Sequence, residues 1–174
     1  SSWETGQAAF YFENQPGSAN AFTGNTVLAG MFGGYSCVFL RQEYVLNNAY
    51  DVAALQVAGR SDDGFIAWIN GQEVARFNMP DGEVPYYGAS SPALSEPIPW
   101  WTNTLSGLQP FLLNGTNVLA IQAFNSSLSN SSDFIINAAL YYTPDVGSPT
   151  MTLQYPSPVS VVRELSSIEI AFNE

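Results

Sequence analysis

Short runs in which apolar and polar side chains alternate recur along the chain, and clusters of Gly, Pro, Asn and Asp separate them. Alternation with a period of two is typical of β-strands, and no stretch keeps apolar residues at helical spacing over several turns. The pattern predicts strands over residues 8–12, 35–45, 53–58, 65–69, 73–78, 117–124 and 134–142. Several short strands of this kind predict an all-β protein, a two-sheet β-sandwich of the jelly-roll type.

The dipeptide Asn70-Gly71 is the sharpest turn signal in the sequence. It follows strand 65–69, and Asn-Gly supplies the two residues of positive φ that a type I′ hairpin turn requires. The odd-numbered side chains of this strand share one face, and the even-numbered ones, which include Trp68, share the other. We expect the odd face to point between the sheets, and Trp68 to lie outside, under a loop or lining a groove.

A change in composition near residues 143–149, rich in proline and small polar residues, predicts a domain boundary. We expect one β-sandwich over residues 1–144, followed by a linker and short additional strands within residues 145–174. About 25 residues cannot build an independent core. These strands therefore either pack on the first domain or open a second β domain, and they are predicted at 151–155, 159–163 and 168–172.

The charged residues exclude several functions. The 174 residues include 4 Lys+Arg and 15 Asp+Glu, with no His, which gives a formal net charge of −11. Four arginines in an acidic field cannot form the basic face that nucleic-acid binding needs. The absence of His and Lys also excludes imidazole catalysis, His-based zinc sites and the P-loop. Polyanionic glycans become poor candidates as partners, whereas neutral hydroxylated ligands or calcium suit this surface.

The remaining composition bears on where the protein works. A single cysteine, Cys37, rules out an internal disulfide, and no run approaches the roughly 18 apolar residues of a membrane span, so we expect no membrane insertion. Few charges and many Ser, Thr, Asn and Gly favour a secreted or cell-surface bacterial protein. The chain begins without Met or an apolar leader, so we expect a mature or excised fragment.

Two motifs resemble a known family. They are S-D-D-G-F-I-A-W-I-N-G-Q-E-V-A-R over residues 61–76 and L-L-N-G-T-N-V-L-A-I-Q-A over residues 112–123. The pair resembles the galactose-binding-like jelly roll, in particular the non-catalytic sugar-binding domain of family 2 glycoside hydrolases. The Asp-Asp-Gly before the hairpin also resembles PA14 modules.

With the later Ser-Ser-Asp-Phe, the motifs are similar to accessory domains of large secreted bacterial multidomain proteins, and residues 168–174 resemble the opening strands of their Ig-like modules. The resemblance covers residues 35–142. It implies the fold, but the modules that share this fold include sugar binders and structural spacers alike.

The first candidate site is aromatic and lies mainly in the proline-rich segment 79–109, a length of loop that is often functional. Saccharides stack their C–H faces on flat rings, and neighbouring amide or carboxylate groups bind the hydroxyls. The alternative is that the rings pin this loop onto the sandwich. The candidate ligand-binding residues are Trp100, Trp101, Tyr86, Tyr87, Trp68, Asn103 and Glu96.

The second candidate site would hold a hard cation. Its oxygen ligands would be Asp62, Asp63, Asn125 and Asp133. An acidic protein without His or paired Cys favours Ca²⁺ over Zn²⁺, so a structural calcium ion is the cofactor we expect. The alternative for the Asp-Asp-Gly tripeptide is a hydrogen-bonded turn in which the Asp side chains cap backbone N–H groups.

A third possibility, a carboxylate pair for glycoside hydrolysis, has little support because the glutamates are scattered. We therefore expect no catalysis by this chain, although the full-length protein could contain a catalytic domain elsewhere. We predict a non-catalytic carbohydrate-binding or carbohydrate-binding-like module of a secreted multidomain bacterial protein. Its partners would be a neutral saccharide or polysaccharide and adjacent domains of the same chain. The alternative is a structural or adhesion sandwich without a small-molecule ligand.

Overall fold

The computed structural model describes residues 3–107 and 111–145, together with the backbone of Ile170 and Ala171. Within these residues the regular elements are β-strands and one 3₁₀ turn, Ala49–Asp51. None of the helices in this described part is long and apolar enough to cross a membrane. The strands are β1 (Phe10–Glu13), β2 (Thr26–Val27), β3 (Cys37–Leu46), β4 (Val52–Asp62), β5 (Gly64–Ile69), β6 (Gln72–Phe77), β7 (Trp101–Leu105), β8 (Gly115–Phe124), β9 (Asp133–Pro144) and β10 (Ile170–Ala171).

Two sheets pack face to face. The first has the strand order β2-β1-β9-β4-β7, with β10 also pairing with β9, and the second has the order β3-β8-β5-β6. The main core lies between them and takes side chains from both sheets, including the fully buried Leu55 and Phe134 of the first sheet and Phe65 and Ile121 of the second. The predicted all-β, two-sheet sandwich is confirmed.

Within residues 3–107 and 111–145 the predicted strands are present, with shifted ends, and two further strands were not predicted. The strand predicted at 53–58 continues as β4 to Asp62, because its polar end is paired with β9 as far as Ile135. Glycine fits at position 59 of this strand because a Cβ there would lie only 2.8 Å from the Phe65 ring, which is too close. The strands β2 and β7 were missed, and β7 corrects the prediction that 79–109 is all loop. It is an edge strand whose alternating threonines are exposed, so its pattern is mostly polar.

The hairpin between β5 and β6 forms as predicted. Asn70 and Gly71 have φ values of 50° and 84°, as a type I′ turn requires. The register shifts between Ala67 and Trp68, so that Ala67 pairs with Ala75 whereas Trp68 pairs with Glu73. This β-bulge places the Trp68 ring and the Glu73 carboxylate opposite each other at the end of the hairpin.

The two faces of β5 lie in different environments. Its odd-numbered side chains are fully buried in the main core, as expected. On the opposite face Ile66 joins a small outer cluster with Cys37, Val84 and Phe124, and Trp68 packs partly buried against it. Val84 comes from the loop between β6 and β7, so the second sheet is covered on its outer face by this loop.

The domain division at residue 144 stays a prediction. Strand β9 ends at Pro144, and the strands predicted at 151–155 and 159–163 lie outside the described residues. Of the strand predicted at 168–172, the structure describes the backbone of β10, which pairs antiparallel with β9.

Candidate functional site

An open cleft of about 970 Å³ lies on the outer face of the second sheet. Its floor includes side chains that the strands direct away from the main core: Phe39 on β3, Trp68 on β5 and Gln122 on β8. One wall consists of residues 81–87, from the loop of residues 78–100 that connects β6 to β7 and that we call the cleft loop. The floor follows from strand geometry, because alternate side chains point to opposite faces of a sheet.

The cleft loop is tied to the sheet by hydrogen bonds to its backbone. Gln122 Nε2 donates to the carbonyl of Val84 at 3.2 Å, and Ser36 Oγ donates to the carbonyl of Gly88 at 2.9 Å. The backbone N–H of Ser90 donates to the carbonyl of Asn125 at 3.2 Å. These bonds come from β8 and its continuation and from the residue before β3, so the wall of the cleft is fixed to its floor.

Aromatic rings are exposed around the cleft. Trp3, Phe39, Tyr86 and Tyr87 have 52%, 51%, 69% and 74% of their surface exposed, and all four line it together with Trp68. The rings of Tyr86 and Tyr87 meet edge to face, with 5.2 Å between centroids. Grouped exposed aromatic surface of this kind is typical of recognition sites rather than of ordinary protein surface.

The polar groups of the cleft are mainly acidic. Arg76 donates from Nη2 and Nε to the two carboxylate oxygens of Glu73, at 2.7 and 2.8 Å, and also to the carbonyl of Pro80. The hydrogen bond from Arg76 lowers the pKa of Glu73, and the same contact raises the pKa of Arg76. Asp81 and Glu83 lie in the wall formed by residues 81–87 and are exposed to solvent.

The aromatic residues predicted to bind a ligand separate into different places. Trp68, Tyr86 and Tyr87 come together in the cleft. Trp101 is the first residue of β7 and packs against the main core, with its ring 5.6 Å from that of Phe65 in a T-shaped contact. Trp100 is 52% exposed and does not line the cleft.

The polar candidates also lie elsewhere. Asn103 Nδ2 donates to the carbonyl of Val74 at 2.9 Å, which links β7 of the first sheet to β6 of the second. Glu96 belongs to a cluster of acids described below. Sequence reasoning missed two aromatic residues of the cleft, Trp3 and Phe39, and its polar lining residues. The position of Phe39 could have been found from the sequence, because Phe39 shares a strand face with Arg41 and Glu43 and therefore points away from the core. The sequence pattern around Trp3 does not indicate a binding residue.

A second feature is a carboxylate cluster formed by Asp62, Glu96 and Asp133. One carboxylate oxygen of each lies within 4.8 Å of the others. Asp62 is the last residue of β4 and Asp133 the first residue of β9, and these strands are neighbours, so the sheet brings the two acids together. Glu96 arrives from the cleft loop.

The cluster perturbs its own ionisation. Burial, followed by the charges of Asp63 and Asp133, raises the pKa of Asp62 from 3.8 to about 9, and the side chain is only 3% exposed. Burial and the neighbouring Asp133 also raise the pKa of Glu96. Both shifts show that the acids face one another with too little compensating positive charge.

The other predicted cation ligands have distinct environments. Asp63 accepts hydrogen bonds from the backbone N–H groups of Leu94 and Ser126, each at 2.7 Å, as in the capped turn weighed as an alternative. Asn125 donates from Nδ2 to the carbonyl of Asp133 at 3.1 Å, whereas its Oδ1 is buried and has no partner among the described residues. The structure therefore brings Asp62, Asp133 and Asn125 together and adds Glu96, which sequence separation concealed.

Comparisons with known proteins give distant structural likenesses. No protein-family model matches the sequence, and a search of the curated proteins finds no match. The α-L-rhamnosidase of Streptomyces avermitilis complexed with L-rhamnose is 14% identical over 79% of this chain and 10% of that chain, with a TM-score of 0.44. The α-L-rhamnosidase of Dictyoglumus thermophilum is 9% identical over 79% of this chain and 12% of that chain, with a TM-score of 0.48.

The PA14 domain of the MpAFP antifreeze protein is 11% identical over 82% of this chain and 64% of that chain, with a TM-score of 0.39. This chain thus spans 10% to 64% of the three structures. The resemblance to the galactose-binding-like family stays a prediction. The function proposed below rests on the cleft itself.

Proposed function

We propose that this chain is a non-catalytic carbohydrate-binding module of a secreted multidomain bacterial protein. The observation that carries the proposal is the open cleft whose rim and floor hold five aromatic rings, Trp3, Phe39, Trp68, Tyr86 and Tyr87. A sugar ring presents an apolar C–H face and a polar edge. Flat exposed rings beside hydrogen-bonding groups match both of these surfaces.

The described acids support binding rather than catalysis. Glycoside hydrolysis requires a carboxylic acid of raised pKa that faces the scissile bond. The acids with raised pKa, Asp62 and Glu96, are outside the cleft lining, and the cleft acid Glu73 is held by Arg76 with a lowered pKa. Adjacent domains of the same chain are the further partners that we propose.

Titration calorimetry with neutral oligosaccharides and soluble polysaccharides tests the proposal. We expect binding that weakens about fivefold in Tyr87→Ala, because the loss of one stacked ring costs about 1 kcal/mol. The matched control is Trp100→Ala, which removes a similarly exposed ring outside the cleft and should leave the affinity unchanged. No binding to any neutral or amino-sugar glycan, or equal losses in both variants, would instead favour a structural or adhesion spacer.

We also propose that the carboxylate cluster holds a structural calcium ion. Two observations support it: carboxylate oxygens of Asp62, Glu96 and Asp133 lie within 4.8 Å of one another, and the buried Oδ1 of Asn125, beside Asp133, lacks a donor among the described residues. Carboxylate and amide oxygens are the ligands that Ca²⁺ prefers, and extracellular calcium would be available to a secreted domain.

The melting temperature in calcium and in EDTA tests this second proposal. Calcium should raise the melting temperature of the wild type and of Asp51→Asn, which changes an exposed acid in the distant 3₁₀ turn. It should have no effect on Asp133→Asn, because that variant loses a carboxylate ligand. A wild-type melting temperature that is the same in EDTA and in calcium would refute the site.

A further inference from the structure

We infer that the cleft selects glycans whose sugars carry free amino groups, such as a β-linked glucosamine chain. The inference rests on the proposed function, since it names the class of saccharide for the same cleft. It follows from the distribution of charge around the aromatic rings. A neutral sugar would use stacking on the rings and hydrogen bonds from its hydroxyls, whereas an amino sugar would in addition pair its positive charge with the carboxylates.

The charge of the cleft is unbalanced. Its lining contains three acids and one cation, namely Glu73, Asp81, Glu83 and Arg76. Arg76 is already bound to both carboxylate oxygens of Glu73, so this pair is close to neutral for an incoming ligand. Asp81 is near enough to raise the pKa of Arg76 but forms no ion pair within the described residues, and neither does Glu83. Two carboxylates therefore remain for the ligand.

These carboxylates lie on the same short stretch as the most exposed rings. Asp81 and Glu83 precede Tyr86 and Tyr87 by a few residues, and all four line the cleft. An ammonium group is attracted both by a carboxylate and by the face of an aromatic ring. A wall that combines the two is suited to a cation attached to a flat, stackable body, and a glucosamine unit is such a body.

The arginines that the structure describes give no support for the binding of anionic glycans. Arg41 is paired with Glu43 at 2.7 Å and its guanidinium lies 5.8 Å from the centre of the Trp3 ring, and the guanidinium of Arg60 lies 5.4 Å from the centre of the Phe22 ring. Arg76 is held by Glu73, so each of these three arginines already contacts another side chain, and of the three only Arg76 lines the cleft. The net charge of −11 adds long-range repulsion of polyanions.

Calorimetry with three matched hexasaccharides tests the inference, at about pH 6 and low salt, where an amino sugar carries its charge. The probes are β-1,4-linked hexamers of glucosamine, N-acetylglucosamine and glucose. We expect the glucosamine hexamer to bind about tenfold more tightly than the neutral hexamers, and this advantage to fall when salt rises from about 20 to about 300 mM. The double variant Asp81→Asn/Glu83→Gln should lose the advantage and keep its affinity for the neutral hexamers.

The control is Asp51→Asn, which removes one negative charge far from the cleft and should retain the advantage. Equal affinities for all three hexamers would overturn the inference while leaving the proposed function intact, and binding of none of them would remove both. A glucosamine advantage that survives in the double variant would also overturn it. So would a hexalysine peptide that binds as tightly as the glucosamine hexamer, since the cleft would then select charge and not sugar.

Discussion

The buried carboxyl group of Asp62 should make the stability of the protein fall as the pH rises. Burial and two neighbouring acids raise its pKa from 3.8 to about 9 in the folded protein. Between these values the folded chain retains a proton that the unfolded chain has released. The unfolded state therefore binds fewer protons, and the free energy of unfolding decreases with pH throughout this interval. The stabilisation is fully present only below the unfolded pKa.

The size of the effect follows from linkage. A single group that is protonated in one state and ionised in the other changes the free energy of unfolding by about 1.4 kcal/mol per pH unit. From about pH 5 to about pH 7, well inside the interval, the buried acid should remove on the order of 3 kcal/mol.

Urea unfolding of the wild type and Asp62→Asn, in EDTA at several pH values, isolates this contribution. The amide has nearly the volume of the acid but does not titrate, so the variant should lack the slope and gain on the order of 3 kcal/mol relative to wild type between about pH 5 and pH 7. The exposed Asp51→Asn variant should run parallel to wild type. If the curves of wild type and Asp62→Asn also run parallel, Asp62 is not the buried proton carrier inferred here.

Three further outcomes are expected. The gain in melting temperature from calcium should increase from pH 5 to pH 8, because the metal needs ionised ligands and competes with protons; a gain independent of pH would contradict this. Trp101→Ala should lower the free energy of unfolding by about 3 kcal/mol in urea titrations, since its ring packs on Phe65, whereas Trp100→Ala should change it by less than about 0.5 kcal/mol. Gly71→Ala should lower the free energy of unfolding by about 1 kcal/mol in the same assay, because φ is 84° at this position. The new Cβ would have no atom within 4 Å, so an unchanged urea midpoint would mean that the turn relaxes.

The fold was predictable wherever local rules dominate. The Asn70-Gly71 turn depends on two φ angles, and the alternation in β5 depends on which face meets the core, so neighbouring residues determine both. Strand β7 obeys neither rule. Its residues form a strand because β4 offers an open edge, and that partner is some forty residues away in the sequence. Long-range pairing of a mostly polar segment leaves little trace in its own pattern.

The aromatic residues show the same limit more sharply. Trp100 and Trp101 are adjacent and were grouped as one candidate, yet one ring is exposed and the other packs on the main core. The difference arises where β7 begins: Trp101 is its first residue and packs on the main core, as Leu105 on the same face does, whereas Trp100 belongs to the loop before the strand. Without knowing that a strand begins at Trp101, no sequence argument could have separated the two rings.

The acids near the Asp-Asp-Gly turn illustrate how one dipeptide can serve two purposes. Each carboxylate oxygen of Asp63 accepts a hydrogen bond from a backbone N–H, one from Leu94 in the cleft loop and one from Ser126 after β8. The carboxyl group of its neighbour Asp62 lies against Asp63 and also meets Asp133 and Glu96. The sequence offers a capped turn and an oxygen-rich cluster as alternatives for this dipeptide. In the structure Asp63 caps backbone N–H groups and Asp62 belongs to the carboxylate cluster.

The cleft loop connects these two features. Near its end, Leu94 is held by Asp63 and Glu96 enters the carboxylate cluster, while earlier the carbonyl of Val84 is held by Gln122 just before the two exposed tyrosines. A loop with many prolines and little regular structure needs such anchors, because its backbone polar groups cannot satisfy one another. The position of the aromatic wall therefore depends on buried polar side chains, of which Gln122 lines the cleft and Asp63 does not. Asp63 thus holds the loop that forms the aromatic wall, although it lies outside the cleft lining itself.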